Sequence, residues 1–124
     1  MTTGIRISWS AGAVTAELQP SPTADKLLAA LPCSSRVNTW GEEVYFNLPI
    51  TADLEPGAQQ VVAPGTVCFW VEGSALALPW GRTPISKGNE CRLASACNIL
   101  GQLRGDPSVL KSARSGDTIR VELA

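Results

Sequence analysis

The 124-residue chain predicts a mainly β domain, a closed barrel or a sandwich of eight short strands with two short helices. Three observations carry this. Apolar and polar residues alternate in stretch after stretch, Gly and Pro punctuate those stretches, and only two segments show the 3.6-residue period of a helix. In IRISW, Ile5, Ile7 and Trp9 share one face, and AVTAEL repeats the pattern with Val14, Ala16 and Leu18; Gly12 between them marks a hairpin turn. Further strands are expected in VNTWGEEVYFNL, QQVVA, TVCFWV, ALALPW, ASACNILGQL and TIRVELA, the last with Ile119, Val121 and Leu123 inward.

The first helix is expected in SPTADKLLAALP. Ser21 is placed to cap it, Pro22 suits the first helical position, and Ala24, Leu27, Leu28 and Leu31 form one apolar stripe that ends near Pro32. The second, in DPSVLKSARSGD, opens with Asp106 and Pro107, turns Val109, Leu110 and Ala113 inward and stops at Gly116. Lys111 and Arg114 fall near its negative end. PWGRTPISKG, from Pro79 to Gly88, is the longest run of turn formers, a segment where a loop carries function or merely connects.

A length of 124 residues at 44% apolar content fits one domain, residues 1–124. Ten basic against eleven acidic residues, without a run of like charges, give no pull toward nucleic acid or an anionic membrane. The start MTTGIRISWSAG has no basic leader followed by an apolar run, so a cytoplasmic location is expected. Cys33, Cys68, Cys91 and Cys97 form no CxxC pair, and the six-residue step from Cys91 to Cys97 is not a metal signature. Reduced, buried thiols and no metal or cofactor are expected. The chain has no histidine, which removes Ser-His and Cys-His nucleophiles, the usual general base near neutral pH and most zinc ligand sets.

NTWGEEVYF, residues 38–46, is the richest stretch. Strict alternation puts Trp40, Glu42, Val44, Phe46 and Leu48 on one side and Gly41, Glu43, Tyr45 and Asn47 on the other, which leaves the Glu42 carboxylate on an apolar face. A glycine bulge at Gly41 would slip the parity, move Glu42 outward and re-aim Trp40. Two readings stand side by side. In the functional one, Glu42 or Glu43 is a general acid, a general base or a ligand-orienting acceptor between walls of Trp40 and Tyr45. In the structural one, one glutamate is solvated and the other pairs with an arginine, Arg36 or Arg92 being candidates, or with backbone N–H groups. Trp70 and Trp80 are pocket walls or core filler. Arg82, Thr83 and Ser86 hold a carboxylate or a peptide carbonyl, or simply build a turn.

The order of these pieces resembles the cyclophilin-like family of small bacterial and archaeal proteins, a group largely without assigned activity. The resemblance runs from about residue 5 to residue 123. It rests on N-T-W-G-E-E-x-Y-F, the Gly and Ala-Leu of EGSALAL, G-x-T-P-x-S at Gly81 to Ser86 and A-S-A-x-N at Ala94 to Asn98. It implies a closed eight-stranded cyclophilin-like β-barrel with a helix near each end, the architecture of peptidyl-prolyl isomerases. The Phe-His-Arg and Gln-Gly-Gly-Asp signatures of true cyclophilins are missing. Residues marked by the resemblance are Asn38, Trp40, Glu42, Glu43, Tyr45, Phe46, Thr83, Pro84 and Ser86.

The leading expectation is a non-catalytic domain that binds a peptide or small polar molecule. Its expected groove is drawn from Asn38, Trp40, Glu42, Glu43, Tyr45, Phe46, Trp70, Arg82, Thr83 and Ser86. The alternative is a prolyl isomerase of weak or altered activity, with Arg36 or Arg82 as guiding cation and Phe46, Phe69 and Trp70 as the proline pocket. A third reading has Glu42 and Glu43 doing acid–base work, and a fourth is a homodimer through the glutamate strand.

Overall fold

The computed structural model describes all residues from Met1 to Ala124. Alternating sequence becomes β1 (Thr3–Trp9) and β2 (Gly12–Leu18), a hairpin whose turn is Ser10–Ala11; Gly12 opens β2 opposite Trp9 instead of making the turn. In α1 (Pro22–Ala30), Ser21 Oγ accepts from Ala24 N at 3.1 Å, satisfying an amide that has no partner inside the helix. Ala24 and Leu27 enter the core, and Leu28 and Leu31 pack half-buried at its edge.

The remaining strands are β3 (Cys33–Arg36), β4 (Asn38–Thr39), β5 (Glu43–Asn47), β6 (Gln59–Val62), β7 (Thr66–Trp70), β8 (Ala75–Pro79), β9 (Cys91–Leu103) and β10 (Thr118–Leu123). The ring order is β3-β10-β1-β2-β9-β7-β8-β5-β4, with β6 attached to β9 outside it. Only Val37 separates β3 from β4 in the chain, although they stand at opposite ends of that order. The barrel therefore nearly closes through a bend at Val37, whose N–H donates to Asp117 O (2.9 Å) and whose carbonyl accepts from Gly116 N (2.8 Å). Taken as one bent stave, residues 33–39 bring the ring to the eight strands expected.

Ile5, Ile7, Phe46, Phe69, Leu76 and Leu100 are among the buried residues that fill the interior. Two expected core positions differ. Leu123 is 60% exposed at the last residue of β10, and Val109 is 40% exposed. Val109 belongs to a 3-10 helix, Pro107–Ser112, which ends short of the expected stop at Gly116. With Asp106 capping Ser108 N and the chain released at Ala113, six residues favour the tighter i→i+3 bonds seen from Val109 N to Asp106 O and from Ala113 N to Leu110 O. Leu110 and Ala113 do face the core.

β9 starts at Cys91, ahead of the expected Ala94, and serves two sheets. Its second half pairs with β2 and β7, with a register shift between Val67 and Cys68; its first half leaves the ring to pair with β6. A Cβ at Gly101 would run into the Glu17 carbonyl, so this glycine lets β9 approach β2. The β6–β9 arm lies against the outer face of the barrel and encloses a small second core of Cys68, Ala77, Leu93 and Cys97. No helix is long and apolar enough to cross a membrane.

Candidate functional site

A pocket of about 220 Å3 opens where the arm meets the outer face of the barrel. Strand parity supplies its floor. In β5, Val44 and Phe46 point into the barrel, so Glu43 and Tyr45 point out. Tyr45 stands opposite Ala77 of β8, and Ala77 opposite Cys68 of β7. A small side chain at position 77 leaves the central space open. Trp70 and Trp40 form walls, and Leu93, Ala94 and Cys97 of β9 close the arm side.

Gly41 aims Trp40. Its φ of +61° is left-handed, and a Cβ there would lie 2.9 Å from Arg82 O and 2.8 Å from Pro84 Cδ, so a larger residue is excluded on both counts. The chain turns between β4 and β5, with Trp40 N–H donating to Glu43 O at 3.0 Å. Trp70 is fixed at its rim: Nε1 donates to Ser95 Oγ (3.1 Å), and Ser95 Oγ donates to Glu72 Oε2 (2.7 Å). The Tyr45 and Trp70 rings meet edge to face, 6.3 Å apart at 87°, so two aromatic walls stand at right angles.

The two adjacent glutamates have opposite fates. Glu42 is exposed; its Oε1 accepts from Arg82 N at 2.9 Å, and a Cβ at Gly81 would collide with it. Glu43 is only 6% exposed, and its Oε1 has no hydrogen-bond partner. Burial pushes the Glu43 carboxyl up to about 7. Arg36 donates to Gly116 O and Arg92 pairs with Glu90, so neither expected arginine neutralises either glutamate.

The other expected groove residues lie elsewhere. Phe46 and Phe69 are fully buried in the barrel interior and face away from the pocket, because they sit on the inward parity of their strands. Asn38 pairs with Tyr45 across β4 and β5 but does not line the pocket. Arg82 donates to Ser86 O (3.2 Å), Thr83 N donates to Ser86 Oγ (2.9 Å), and Thr83 Oγ1 donates to Arg92 O. These three residues build the turn. The expected groove thus contracts to Trp40, Glu43, Tyr45 and Trp70, joined by Ala77, Leu93, Ala94 and Cys97, which sequence reasoning did not select.

All four cysteines are free. Burial and the nearby Glu43 push the Cys97 thiol up to about 12 and raise Cys68 and Cys91 as well, so these are inert protonated groups near neutral pH. No cluster of three or more Cys, Asp or Glu is arranged to hold a metal ion. A second buried polar position, Asn98 of β9, is fully bonded: Oδ1 accepts from Glu55 N (2.8 Å), and Nδ2 donates to Thr23 Oγ1 (2.9 Å) and Asp53 O (2.9 Å). Thr23 in turn bonds the Glu55 carboxylate through both N–H and Oγ1.

A nearly closed eight-stave barrel with a pocket on its outer face has the architecture of a cyclophilin-like barrel. The chain belongs to the Cyclophilin-like family, whose pattern it matches over residues 3–122. It is similar to the solution structure of the hypothetical protein AF2241 from Archaeoglobus fulgidus, at 32% identity and a TM-score of 0.83, over 99% of this chain and 95% of that one. No functionally curated protein matches it.

Proposed function

We propose that this is a ligand-binding domain whose site is the outer pocket, with Trp40, Tyr45 and Trp70 as walls and Glu43 as the group that orients the ligand. One observation carries the reading: a carboxyl with an unpartnered oxygen is buried in an otherwise apolar, aromatic pocket. A buried polar atom left without a partner costs about 1–3 kcal/mol. A barrel with no use for Glu43 gains nothing by keeping it there, whereas a ligand that bonds it offsets the cost.

A carboxyl titrating near pH 7 also suits general acid–base catalysis. The expected pair is absent from the pocket, however, since Glu42 points to solvent and no second carboxyl lines it. Binding is the better supported reading. The isomerase alternative lacks a guanidinium at the pocket, because Arg36 and Arg82 are engaged with backbone carbonyls elsewhere.

The test is an NMR screen of small amines, alcohols, amides and an X-Pro peptide, read on the indole N–H signals. Ligand entry is expected to shift Trp40 and Trp70 and leave Trp9, which is bonded to Ser112 Oγ, unmoved. Ala77→Leu, which fills the floor, is expected to abolish those shifts while the protein stays folded. Shifts unaffected by Ala77→Leu would place the binding elsewhere. Faster cis–trans exchange of the peptide would revive the isomerase.

A further inference from the structure

Resting on that reading of the pocket, we infer that its ligand carries a protonated amine: an alkylammonium group whose N–H bonds donate to Glu43 and whose charge lies against the faces of Trp40, Tyr45 and Trp70.

Four features converge on this class. The free Glu43 oxygen demands a hydrogen-bond donor, and the deepest compensation for a buried carboxylate is a donor that also carries positive charge. The chain supplies no such cation: none of the pocket's eight lining residues is Lys or Arg, and burial alone accounts for the shift of Glu43. Three aromatic rings line the pocket, and the π-electrons of a ring attract a cation to its face and repel an anion. Finally, about 220 Å3 holds roughly seven waters' worth of volume at about 30 Å3 each, room for a butylamine-sized group and too little for a folded peptide segment.

A quaternary ammonium would satisfy the rings but leave the Glu43 oxygen without a donor. The geometry therefore favours an ammonium that keeps its N–H bonds. Such a group occurs on a free small amine and at the tip of a lysine side chain, two sources of one chemistry.

Binding follows the ionisation of Glu43. The titratable groups that feel that carboxyl's charge are the thiols of Cys68 on β7 and of Cys91 and Cys97 on β9, all raised, with Glu42 also acting on Cys91 and Glu72 on Cys97; Tyr45 on its own strand lines the same pocket. None of these thiols titrates between pH 6 and 8. An alkylamine, with a pKa near that of lysine at about 10.4, stays charged over the same range. For a carboxyl with a midpoint near 7, the ionised fraction rises about tenfold from pH 6 to pH 8, and apparent affinity rises with it.

The experiment titrates the protein with n-butylammonium, n-butyltrimethylammonium, n-butanol and N-acetyl-lysine methylamide, at pH 6 and pH 8, by calorimetry and by the Trp40 and Trp70 indole signals. n-Butylammonium is expected to bind at least tenfold more tightly than n-butanol at pH 8 and to weaken about tenfold at pH 6. The trimethylated form is expected to fall between them. In folded Glu43→Gln, both the preference for the ammonium and the pH dependence are expected to vanish. If the lysine derivative binds as well as the free amine, the source is a protein side chain; if it binds much more weakly, the source is a small amine. Equal binding of butanol and butylammonium, or pH-independent binding, overturns the amine inference while leaving the pocket intact. Silence of both indoles with all four probes overturns the inference and the pocket reading together.

Discussion

Asn98 and Glu43 are both polar, both strand residues and both buried, yet they occupy opposite ends of a scale of satisfaction. Every hydrogen-bonding atom of the Asn98 side chain has a partner, and those partners tie β9 to the segment around Asp53 and Glu55 and to the start of α1. One oxygen of Glu43 has none, and no cation stands near it. A buried polar group whose bonds all end within the chain does the work of folding; one whose bonding capacity is left over points to something outside the chain.

The comparison breaks first at Asn98. Asn98→Ala leaves Glu55 N and Asp53 O without their partner, takes one of two bonds from Thr23 Oγ1, and is expected to lower stability by about 3 kcal/mol, read from the urea midpoint. A loss under about 1 kcal/mol would make Asn98 dispensable and remove the contrast.

Glu43→Gln is expected to act in the other direction and only at higher pH. A folded-state midpoint near 7 against an ordinary value of 4.5 means the native protein holds this proton more tightly than the unfolded chain does. Its contribution is therefore fully present below pH 4.5 and is lost as pH rises through 7, a fall of about 3 kcal/mol at about 1.4 kcal/mol per unit. The Gln variant is expected to lack this fall, so that it matches the parent at pH 4 and exceeds it at pH 8 in thermal or urea melts. Parallel pH–stability curves for the two proteins would show that Glu43 ionises without penalty.

A smaller effect is expected at the rim. Ser95→Ala removes the acceptor of Trp70 Nε1 and is expected to destabilise by about 1 kcal/mol. Because it frees the indole, it is also expected to weaken binding in the pocket, which a purely structural serine would not do. Smallest of all is Glu42→Gln. The exposed side chain keeps an acceptor for Arg82 N, and the change is expected to stay within about 0.5 kcal/mol and to leave binding untouched. A large loss of binding there would mean the wrong glutamate has been assigned.

The fold was largely legible because IRISW and AVTAEL alternate cleanly, because Ser21-Pro22 announces a helix start, and because the family motifs extend along the chain. β3 escaped, since CSSR shows no apolar alternation and becomes a strand only by pairing with β10. The second helix was placed correctly at its start but ends at Ser112, short of the expected stop at Gly116, because six residues of 3-10 turn already deliver Leu110 to the core. In the site, the aromatic and acidic half was visible in NTWGEEVYF. What alternation could not decide was which glutamate is buried, because the pocket that covers Glu43 lies on the outer face and the left-handed turn at Gly41 resets the parity between Trp40 and Glu43. Ala77, Leu93, Ala94 and Cys97 carried no local signal at all. They reach the pocket through the register of β8 and the departure of β9 from the ring, which are long-range facts.

The most direct measurement is the carbon NMR titration of the Glu43 side-chain carboxyl in the free protein, with Glu43→Gln fixing the assignment. The account predicts a midpoint near 7, well apart from the ordinary glutamate value of 4.5. A midpoint at or below 4.5 would mean that a partner already satisfies this carboxylate, and would contradict the claim that the pocket holds an unpaired acid for a ligand.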